Sequence, residues 1–345
     1  MDSPAILRTV TDPQEIGREG WKAFVSNHPR ACIFQTPEYF DLCSNASGYS
    51  GVVAACILNE RICGILVAVI QRDFRPPFSS LTARGVIWGG PLAENNNPEI
   101  ISSLLEAYNA KTGRSVLFTQ FRNLSDMDDF REVFLGNGYV FEEHLNILFN
   151  LRKGEDSLWA DMHSTRRKQI KRSVRRDVKV SCFSDHDDER LLKCYSLLKS
   201  VYSRARLPLP DYCYFQRAAE LFTEKKYLRV FTAEYRSEII GFRMILCYQD
   251  TLYDWYAAAS DDHLDKYPND ILPWEVILWG LKHGFNWFDF GGAGKPGKPY
   301  GVRDYKAKFG GEMVNFGRFT LIKKPLLYTV IMTLFRIRQV ISGIR

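Results

Sequence analysis

A hairpin, a helix and a strand follow one another twice along this chain. In the first half, two apolar runs surround a polar turn at residues 52–70, and residues 228–248 repeat that pattern. Each hairpin is followed by a helical pattern, which begins at Asn97-Pro98-Glu99 or at Asn269-Asp270 and ends at a glycine before an aromatic strand. Proline and acidic residues favour helix starts, whereas glycine favours helix ends. The repeat predicts two α+β domains with mixed central sheets flanked by helices.

The length of 345 residues agrees with two domains, because single hydrophobic cores stop growing at about 250–300 residues. We place the first domain at residues 1–150 and the second at 151–312. Residues 313–345 are then expected to form a returning strand and a basic amphipathic helix. The alternative to duplication is coincidence, since any α+β protein can contain two hairpin-helix-strand runs.

The composition is that of an ordinary globular protein, with 46% hydrophobic and 25% charged residues. No segment reaches the roughly 18 uninterrupted apolar residues of a spanning helix, and the N-terminus lacks a signal-peptide pattern. The eight cysteines are scattered without a CxxC pair, and no HExxH or Cys/His spacing is present. We therefore expect buried, reduced thiols, no metal and a cytoplasmic location.

Positive charge is concentrated between the two halves, at residues 157–178. Seven cations occupy the eleven positions from 166 to 176 without an acidic residue, and Leu158, Met162, Ile170 and Val174 fall at helical spacing. Like charges on a helix repel one another, so the cluster favours an anionic partner such as a nucleotide, RNA or phosphate-bearing lipid precursor. A membrane-surface contact and a solvated surface helix are the alternatives. The candidate anion-binding residues are Arg166, Arg167, Lys168, Lys171 and Arg172.

A glycine-rich loop at residues 291–298 has flexible backbone and two lysines. It is not a P-loop, because no Gly-Lys-Ser/Thr run begins a helix and two prolines, Pro296 and Pro299, interrupt it. The loop either lines an anionic site or is a flexible connection. No GxSxG elbow or triad motif is present, so we do not expect covalent catalysis.

Two residues beside this loop are candidate catalytic groups. Asp289 lies between Phe288 and Phe290, and strand alternation turns it away from those aromatic side chains. It is a candidate base or a structural, orienting acid. Lys306 follows Tyr305 and is a candidate for holding a carboxylate or phosphate or for stabilising an oxyanion. A surface lysine is the alternative.

The C-terminal segment, residues 325–345, is amphipathic and basic. Its apolar residues share one helical face: Leu327, Ile331, Leu334, Ile337, Ile341 and Ile344. Its cations are Arg336, Arg338 and Arg345. The segment predicts either peripheral contact with the inner face of a membrane or docking on the protein itself.

Four stretches of the second half together resemble the FemAB-like branch of the Gcn5-related N-acetyltransferase (GNAT) superfamily. That branch includes aminoacyl-tRNA-dependent peptidyltransferases of cell-wall bridge synthesis and BioF2-like acetyltransferase domains. The last stretch is similar to the pattern GxxxFDFGG…GxxxYKxxFG. The stretches are residues 158–180, 201–215, 255–279 and 285–310.

The resemblance implies two tandem GNAT-like domains and transfer of an acyl group to a primary amine. Lys306 corresponds to a lysine that is important for activity in members that use aminoacyl-tRNA, and Asp289 is a candidate to assist deprotonation of the amine. Residues that hold the acceptor correspond to Arg204, Tyr214 and Tyr256. The set of expected substrate-binding residues is completed by Tyr267, Asn269 and Tyr305.

Two departures from the family bear on the donor. No long helical-hairpin insertion is present, which puts tRNA engagement through that arm in doubt, and the loop that grips acetyl-CoA pyrophosphate is missing after Leu246. We expect no bound cofactor, with aminoacyl-tRNA or acyl-CoA as co-substrate. The expected acceptor is an amine of a peptidoglycan, polysaccharide or lipid precursor of the cell envelope, and the expected state is a monomer. A non-catalytic module that binds an anionic surface is the alternative.

Overall fold

A computed structural model describes residues 7–72, 82–183 and 187–341 of the chain. The chain divides into two compact units, one formed by Met1–Glu142 with Phe316–Arg345 and the other by Glu143–Asn315. Up to residue 142 the elements are β1 Leu7–Val10, α1 Pro13–Ile16, α2 Arg18–Asn27, α3 Pro37–Ser44, β2 Tyr49–Leu58, β3 Arg61–Gln71, β4 Arg84–Trp88, β5 Leu92–Ala93, α4 Pro98–Thr112, β6 Phe118–Arg122, α5 Arg131–Gly136 and β7 Val140–Glu142.

The second unit follows along the chain. Its elements are β8 Leu145–Asn150, α6 Glu155–Asp161, α7 Ser164–Arg175, β9 Lys179–Phe183, α8 Asp188–Ala205, α9 Tyr212–Thr223, β10 Leu228–Tyr235, β11 Glu238–Tyr248, β12 Thr251–Ala259, α10 Pro268–Lys282, β13 Trp287–Gly294, α11 Gly301–Ala307 and β14 Glu312–Val314. The chain then returns to the first unit with β15 Arg318–Ile322 and α12 Pro325–Ile341.

The strands of the first unit form one mixed sheet in the order β1-β2-β3-β4-β6-β15-β7, with β5 beside β3. The returning strand β15 is antiparallel to both β6 and β7. One face of the sheet packs against α4 and α5 through fully buried side chains, among them Tyr108, Phe121 and Phe134. The rings of Phe121 and Phe134 meet edge to face at 4.9 Å.

The second sheet has the order β14-β8-β13-β12-β11-β10-β9. Residues 145–150, which the sequence analysis assigned to the first domain, form β8 and pair with β13 and β14 of the second unit. Alternating apolar residues identify a strand but do not say which sheet it joins. The core of this unit lies between the sheet and α10, and Leu252, Ile277, Phe288 and Phe290 are buried in it.

The repeat inferred from the sequence is present in both units. In the first, the hairpin β2–β3 is followed by β4, α4 and β6, and β4 and β6 are parallel. In the second, the hairpin β10–β11 is followed by β12, α10 and β13, and β12 and β13 are parallel. Each helix therefore connects two parallel neighbours, as a βαβ unit requires.

The basic segment differs from a single amphipathic helix. It forms α6 and α7, separated at Met162 and His163, and His163 Nδ1 accepts a hydrogen bond from the backbone N–H of Thr165 at the start of α7. Ile170 is buried, whereas Val174 is 61% exposed. Leu158 and Met162, before the break, are buried as well, so the position that differs is Val174 in the last turn of α7, where apolar spacing alone does not show that the side chain is exposed.

The helix α12 has two apolar sides in its described part. Leu327 and Ile331 are partly buried, and the ring of Tyr328 meets Phe118 at 5.5 Å. Leu326, Val330 and Leu334 are 87%, 55% and 61% exposed. The side chains beyond residue 334, including the predicted Ile337, Ile341, Ile344 and the three arginines, lie outside the described residues. Among the helices that the structure describes, none combines the length and apolar content needed to cross a bilayer.

Candidate active site

The parallel strands β12 and β13 separate at the centre of the second sheet. They pair over Thr251–Tyr253 and Trp287–Asp289. Beyond these residues β12 continues beside β11, while β13 continues beside β8. The β11–β12 register shifts between Met244 and Ile245, which is the level at which the strands separate. Bulges bend a strand and are common next to active sites, so the facing edges from Asp254 and Phe290 onward are candidates for binding a ligand.

Lys306 of α11 lies at this separation. Its Nζ donates hydrogen bonds to the carbonyl oxygens of Phe290 and, at 3.4 Å, Gly292. Burial lowers the pKa of Lys306, while the carboxylates of Asp254 and Asp289 raise it. An ammonium group has three N–H donors. Two are directed at these carbonyls of β13, which leaves a third to meet a substrate oxygen.

Asp289 is buried on the strand face opposite Phe288 and Phe290, as alternation predicts. Its Oδ1 accepts a hydrogen bond from the backbone N–H of Gly291 at 2.7 Å. Burial raises the pKa of Asp289 to about 6, although the Gly291 hydrogen bond and Lys306 lower it. A carboxyl group with this pKa is largely ionised at neutral pH and can still take up a proton, as a general base must.

A buried ion pair that the sequence analysis missed lies beside Lys306. Arg243 Nη1 of β11 is 2.5 Å from Asp254 Oδ2 of β12, and their side chains are 5% and 11% exposed. Within the described residues, Arg243 Nε and Asp254 Oδ1 are buried without hydrogen-bond partners. Such atoms cost about 1–3 kcal/mol each unless a ligand or water satisfies them. The signal in the sequence was a lone arginine inside an apolar strand and a lone aspartate among aromatic residues.

Arg166 of α7 connects the basic helix to this region. It forms an ion pair with Asp270 in the first turn of α10, and the two side chains are 13% and 7% exposed. Its guanidinium lies 4.6 Å from the ring of Tyr305. The Tyr305 hydroxyl donates to the backbone carbonyl of Asn269, and burial raises the pKa of Tyr305. Arg166, Asn269 and Tyr305, three residues identified from the sequence, therefore lie in one network next to Lys306.

Among the other predicted anion-binding residues, Arg167 is partly buried like Arg166, and the other three are exposed. Arg167 Nη1 donates to the carbonyl oxygens of Trp159 and Ala160 at 3.2 and 3.1 Å. Lys171 Nζ lies 5.7 Å from the ring of Trp159. The side chains of Lys168, Lys171 and Arg172 are exposed. They form a positively charged outer surface of α7, whereas Arg166 faces inward.

The remaining predicted substrate residues fall into two groups. Tyr214 and Tyr256 share an aromatic cluster, in which Tyr214 lies 5.8 Å from Trp255 and Tyr256 lies 5.0 Å from Phe215. By contrast, Arg204 forms an ion pair with Asp261 and is half exposed. Tyr267 begins α10 in a left-handed conformation, with φ of 60°. Its ring lies 5.5 Å from the guanidinium of Arg176.

The residues around Lys306 match what acylation of an amine requires. The attacking amine must lose a proton, and the carbonyl oxygen of the donor gains negative charge. Lys306 supplies an N–H donor in a poorly solvated position, where such a contact is stronger than in water. Asp289 supplies a carboxylate whose pKa is close to neutral.

The sequence of the second unit matches a known domain family. Residues 164–307 match the acetyltransferase (GNAT) domain family. This segment contains β9 to β13, α7 to α11, the Arg243–Asp254 pair, Asp289 and Lys306. No curated protein matches the chain by sequence.

Several solved structures share the fold of nearly the whole chain. FemX has a TM-score of 0.71 at 15% identity, over 94% of this chain and 99% of its own. L-PGS from Bacillus licheniformis has a TM-score of 0.59 at 15% identity, over 94% and 96%. A tandem GNAT protein from the clavulanic acid biosynthesis pathway has 0.58 at 12%, over 91% and 98%. The chain therefore has the tandem GNAT-like fold expected from its sequence, and residues 164–307 match the acetyltransferase (GNAT) domain family.

Proposed function

We propose that this protein is an N-acyltransferase of the FemAB-like type, which transfers an aminoacyl or acyl group to an amine of a cell-envelope precursor. The observation that carries the proposal is the position of Lys306. It lies where β12 and β13 separate, bound to two carbonyls of β13 and influenced by Asp254 and Asp289. A surface lysine would have neither the carbonyl partners nor the lowered pKa.

In the proposed reaction, the neutral amine of the acceptor attacks the carbonyl carbon of an ester or thioester donor. A C–N bond forms, the carbonyl electrons move to oxygen, and Lys306 donates a hydrogen bond to that oxygen. Asp289 or a group of the substrate takes the proton from the amine. The oxyanion then collapses, and the alkoxide or thiolate of the donor leaves with the bonding electron pair.

The Arg243–Asp254 pair has a positioning role in this scheme. Asp254 opposes the desolvation of Lys306, so it keeps the lysine charged and able to donate. Arg243 fixes Asp254 through the contact at 2.5 Å. Its guanidinium also lies 5.0 Å from the ring of Phe290, whose carbonyl receives Lys306.

An aminoacyl donor is slightly favoured over acyl-CoA. The support is the missing pyrophosphate-gripping loop after Leu246, together with exposed cations on α7 that suit a larger polyanion such as tRNA. Acyl-CoA is the alternative donor, because residues 164–307 match the acetyltransferase (GNAT) domain family. Either donor is a co-substrate, and the enzyme is proposed to act as a monomer.

The experiment is a transfer assay with aminoacyl-tRNAs and acyl-CoAs, each carrying a labelled acyl group, and amine-bearing envelope precursors. We expect transfer by the native protein from one donor class and its loss in Lys306→Ala. Lys308→Ala, which changes an exposed lysine two residues away, is the matched control and should keep activity. Binding of RNA or anionic vesicles without transfer from any donor would favour the non-catalytic module.

We also propose that α12 makes peripheral contact with the inner face of a membrane. Leu326, Val330 and Leu334 recur every four residues and form one exposed apolar stripe. Lys324 precedes this helix, and a cation beside an apolar stripe favours anionic lipid. Partly buried Leu327, Tyr328 and Ile331 hold the other side of the helix on the protein.

Flotation with vesicles of anionic phospholipid tests this contact. The native protein should float with the vesicles, whereas a variant with Leu326, Val330 and Leu334 changed to glutamate should remain in the lower fraction. Thr329→Glu adds one negative charge to an exposed position of the same helix and serves as a control. Equal flotation of the native and triple-variant proteins would refute the membrane contact.

A further inference from the structure

Three arginines lie on one face of the first sheet, opposite the face that packs on α4 and α5. Trp88 of β4 is paired with Arg122 of β6, and Arg122 is paired with Arg318 of β15. Registered neighbours have their side chains on the same face, with Cβ atoms about 4.5–5.5 Å apart. Arg84 lies on β4 four residues before Trp88, on that same face. Like charges placed opposite one another are destabilising, so this arrangement needs a physical reason.

The side chain of Arg122 is held in a defined orientation. Its guanidinium lies 4.6 Å from the ring of Trp88, and that ring stacks on Phe34 at 5.5 Å. Its Nε donates to Gln120 Oε1 at 3.2 Å. Arg318 Nη1 donates to the same oxygen, also at 3.2 Å. A single amide oxygen therefore holds two guanidinium groups side by side.

The two terminal nitrogens of Arg122 make no hydrogen bond to any residue in the described part of the chain. No carboxylate there forms an ion pair with this side chain. Burial, together with the positive charges of Arg318 and Arg84, lowers the pKa of Arg122 to about 9. Glu142 lies opposite Arg318 on β7 and offsets charge on that side of the sheet. The positive charge of Arg122 is the part of the cluster that lacks an anionic partner.

The position of this cluster in the sheet also suits a ligand. Trp88 and Arg122 are the last residues of the parallel strands β4 and β6. In sheets with parallel strands, ligands commonly bind beyond the carboxyl ends of the strands. The chain continues from Trp88 into Gly89 and Gly90, both with positive φ, so the backbone turns directly after the cluster.

We propose that the first unit binds a phosphate group at Arg122 and Arg318. The planar fork of Arg122 presents two N–H donors to two phosphate oxygens, which is the geometry that arginine offers and lysine does not. Arg318 neutralises the second negative charge of the phosphate, and Arg84 adds attraction at longer range. Arg122 and Arg318 belong to the first unit, whereas the residues of the proposed transfer site belong to the second, so the proposal does not depend on acyl transfer.

Isothermal titration calorimetry of the full chain with pyrophosphate at low salt tests the site. We expect saturable binding, weakened about 10- to 100-fold by Arg122→Gln, because a charged hydrogen-bonding partner is lost. Arg122→Lys should bind with intermediate affinity, since the charge is kept without the fork. Arg114→Gln changes an exposed arginine of the same unit and should bind as the native protein does. Lys306→Ala should also bind normally, even though transfer is expected to be lost.

Arg318→Gln is a second variant, which keeps the proposal testable if Arg122→Gln does not fold. It should weaken binding as well, because it removes the neighbouring charge. Repeating the titration with a nucleoside diphosphate and with phosphatidic acid vesicles identifies the source of the phosphate, and saturable binding of either supports the site. Absence of pyrophosphate binding, or equal affinity in the Arg122→Gln, Arg318→Gln and native proteins, would overturn the proposal.

Discussion

Replacing Asp289 with asparagine should stabilise the second unit above pH 6. Asparagine has nearly the same shape, and its Oδ1 can accept the hydrogen bond that Gly291 N–H gives to Asp289 at 2.7 Å. It differs in having no charge to bury. The native side chain is buried on the strand face opposite Phe288 and Phe290, and burial disfavours its ionised form.

The magnitude follows from the pKa of Asp289, which burial raises from 3.8 to about 6 in the folded protein. Between these values the folded state binds more protons than the unfolded state, so the free energy of unfolding decreases as pH rises. The stabilisation is complete below pH 3.8 and is lost through pH 6. At about 1.36 kcal/mol per pH unit, the loss is about 3 kcal/mol. Asp289→Asn should not show this loss, because the asparagine side chain does not ionise.

Urea unfolding followed by tryptophan fluorescence measures the effect. Five of the seven tryptophans lie in the second unit, at positions 159, 255, 274, 279 and 287, so the signal reports mainly on that unit. The free energies of unfolding of the variant and native proteins should differ little at pH 4, with the variant more stable by up to about 3 kcal/mol at pH 7. Asp262→Asn, which changes an exposed aspartate of the same unit, is the matched control.

A difference between the Asp289→Asn and native proteins that stays constant from pH 4 to pH 7 would refute the reasoning. It would mean that Asp289 titrates alike in the folded and unfolded protein. A variant that becomes less stable than the native protein as the pH rises would also contradict the reasoning. That result would show that the carboxylate form is favoured at this position, through Lys306 and the Gly291 hydrogen bond.

Three further changes test the contacts around the site, each by urea unfolding. Arg243→Met should lower the free energy of unfolding by about 3–5 kcal/mol, because it leaves Asp254 buried without its partner. Adding Asp254→Leu should recover most of this loss. A double variant that is no more stable than Arg243→Met would contradict the reasoning. Gly310→Ala should cost about 1–3 kcal/mol, since φ is +89° and a Cβ would lie 2.6 Å from the carbonyl oxygen of Asp161; unchanged stability would show that the turn tolerates a side chain. Tyr305→Phe should lower the free energy of unfolding by about 1 kcal/mol, because it removes the hydrogen bond to the carbonyl oxygen of Asn269. An unchanged free energy would mean that this bond contributes nothing to stability.

Much of the fold follows from local patterns in the sequence. The two hairpins, the helices α4 and α10, and the strands β6 and β13 were identified because apolar periodicity, helix-start residues and terminal glycines act over short distances. The orientation of Asp289 away from Phe288 and Phe290 was predicted for the same reason. The sheet that β8 joins depends on pairing with β13 and β14, and that pairing leaves no local signal.

The buried charged residues of the site were harder to predict than its fold. Arg243 and Asp254 are eleven residues apart in neighbouring strands, and each is unremarkable without the other. The inward position of Arg166 was more accessible to reasoning, because Arg166, Ile170 and Ser173 lie on one face of α7 and the last two are buried. A count of cations along the segment places Arg166 with the exposed Lys168 and Arg172. Helical phase, rather than charge density, separates it from them.

The apolar face of α12 shows a related limit. The sequence placed Leu327, Ile331 and Leu334 on one face, whereas the structure has Leu327 and Ile331 partly buried and Leu334 exposed with Leu326 and Val330. A helix with apolar residues on more than one side can dock on its own protein and still present an apolar stripe. Periodicity alone cannot decide which residues take each position.

Single-turnover transfer from a bound donor tests the central role of Lys306 most directly. With donor affinity measured separately, Lys306→Ala should lower the rate constant of the chemical step by about 100-fold or more, as loss of an oxyanion donor does. Donor affinity should change little, and Lys308→Ala should match the native protein in both quantities. An unchanged rate constant in Lys306→Ala, with or without weaker donor binding, would contradict the assignment of Lys306 to the transition state.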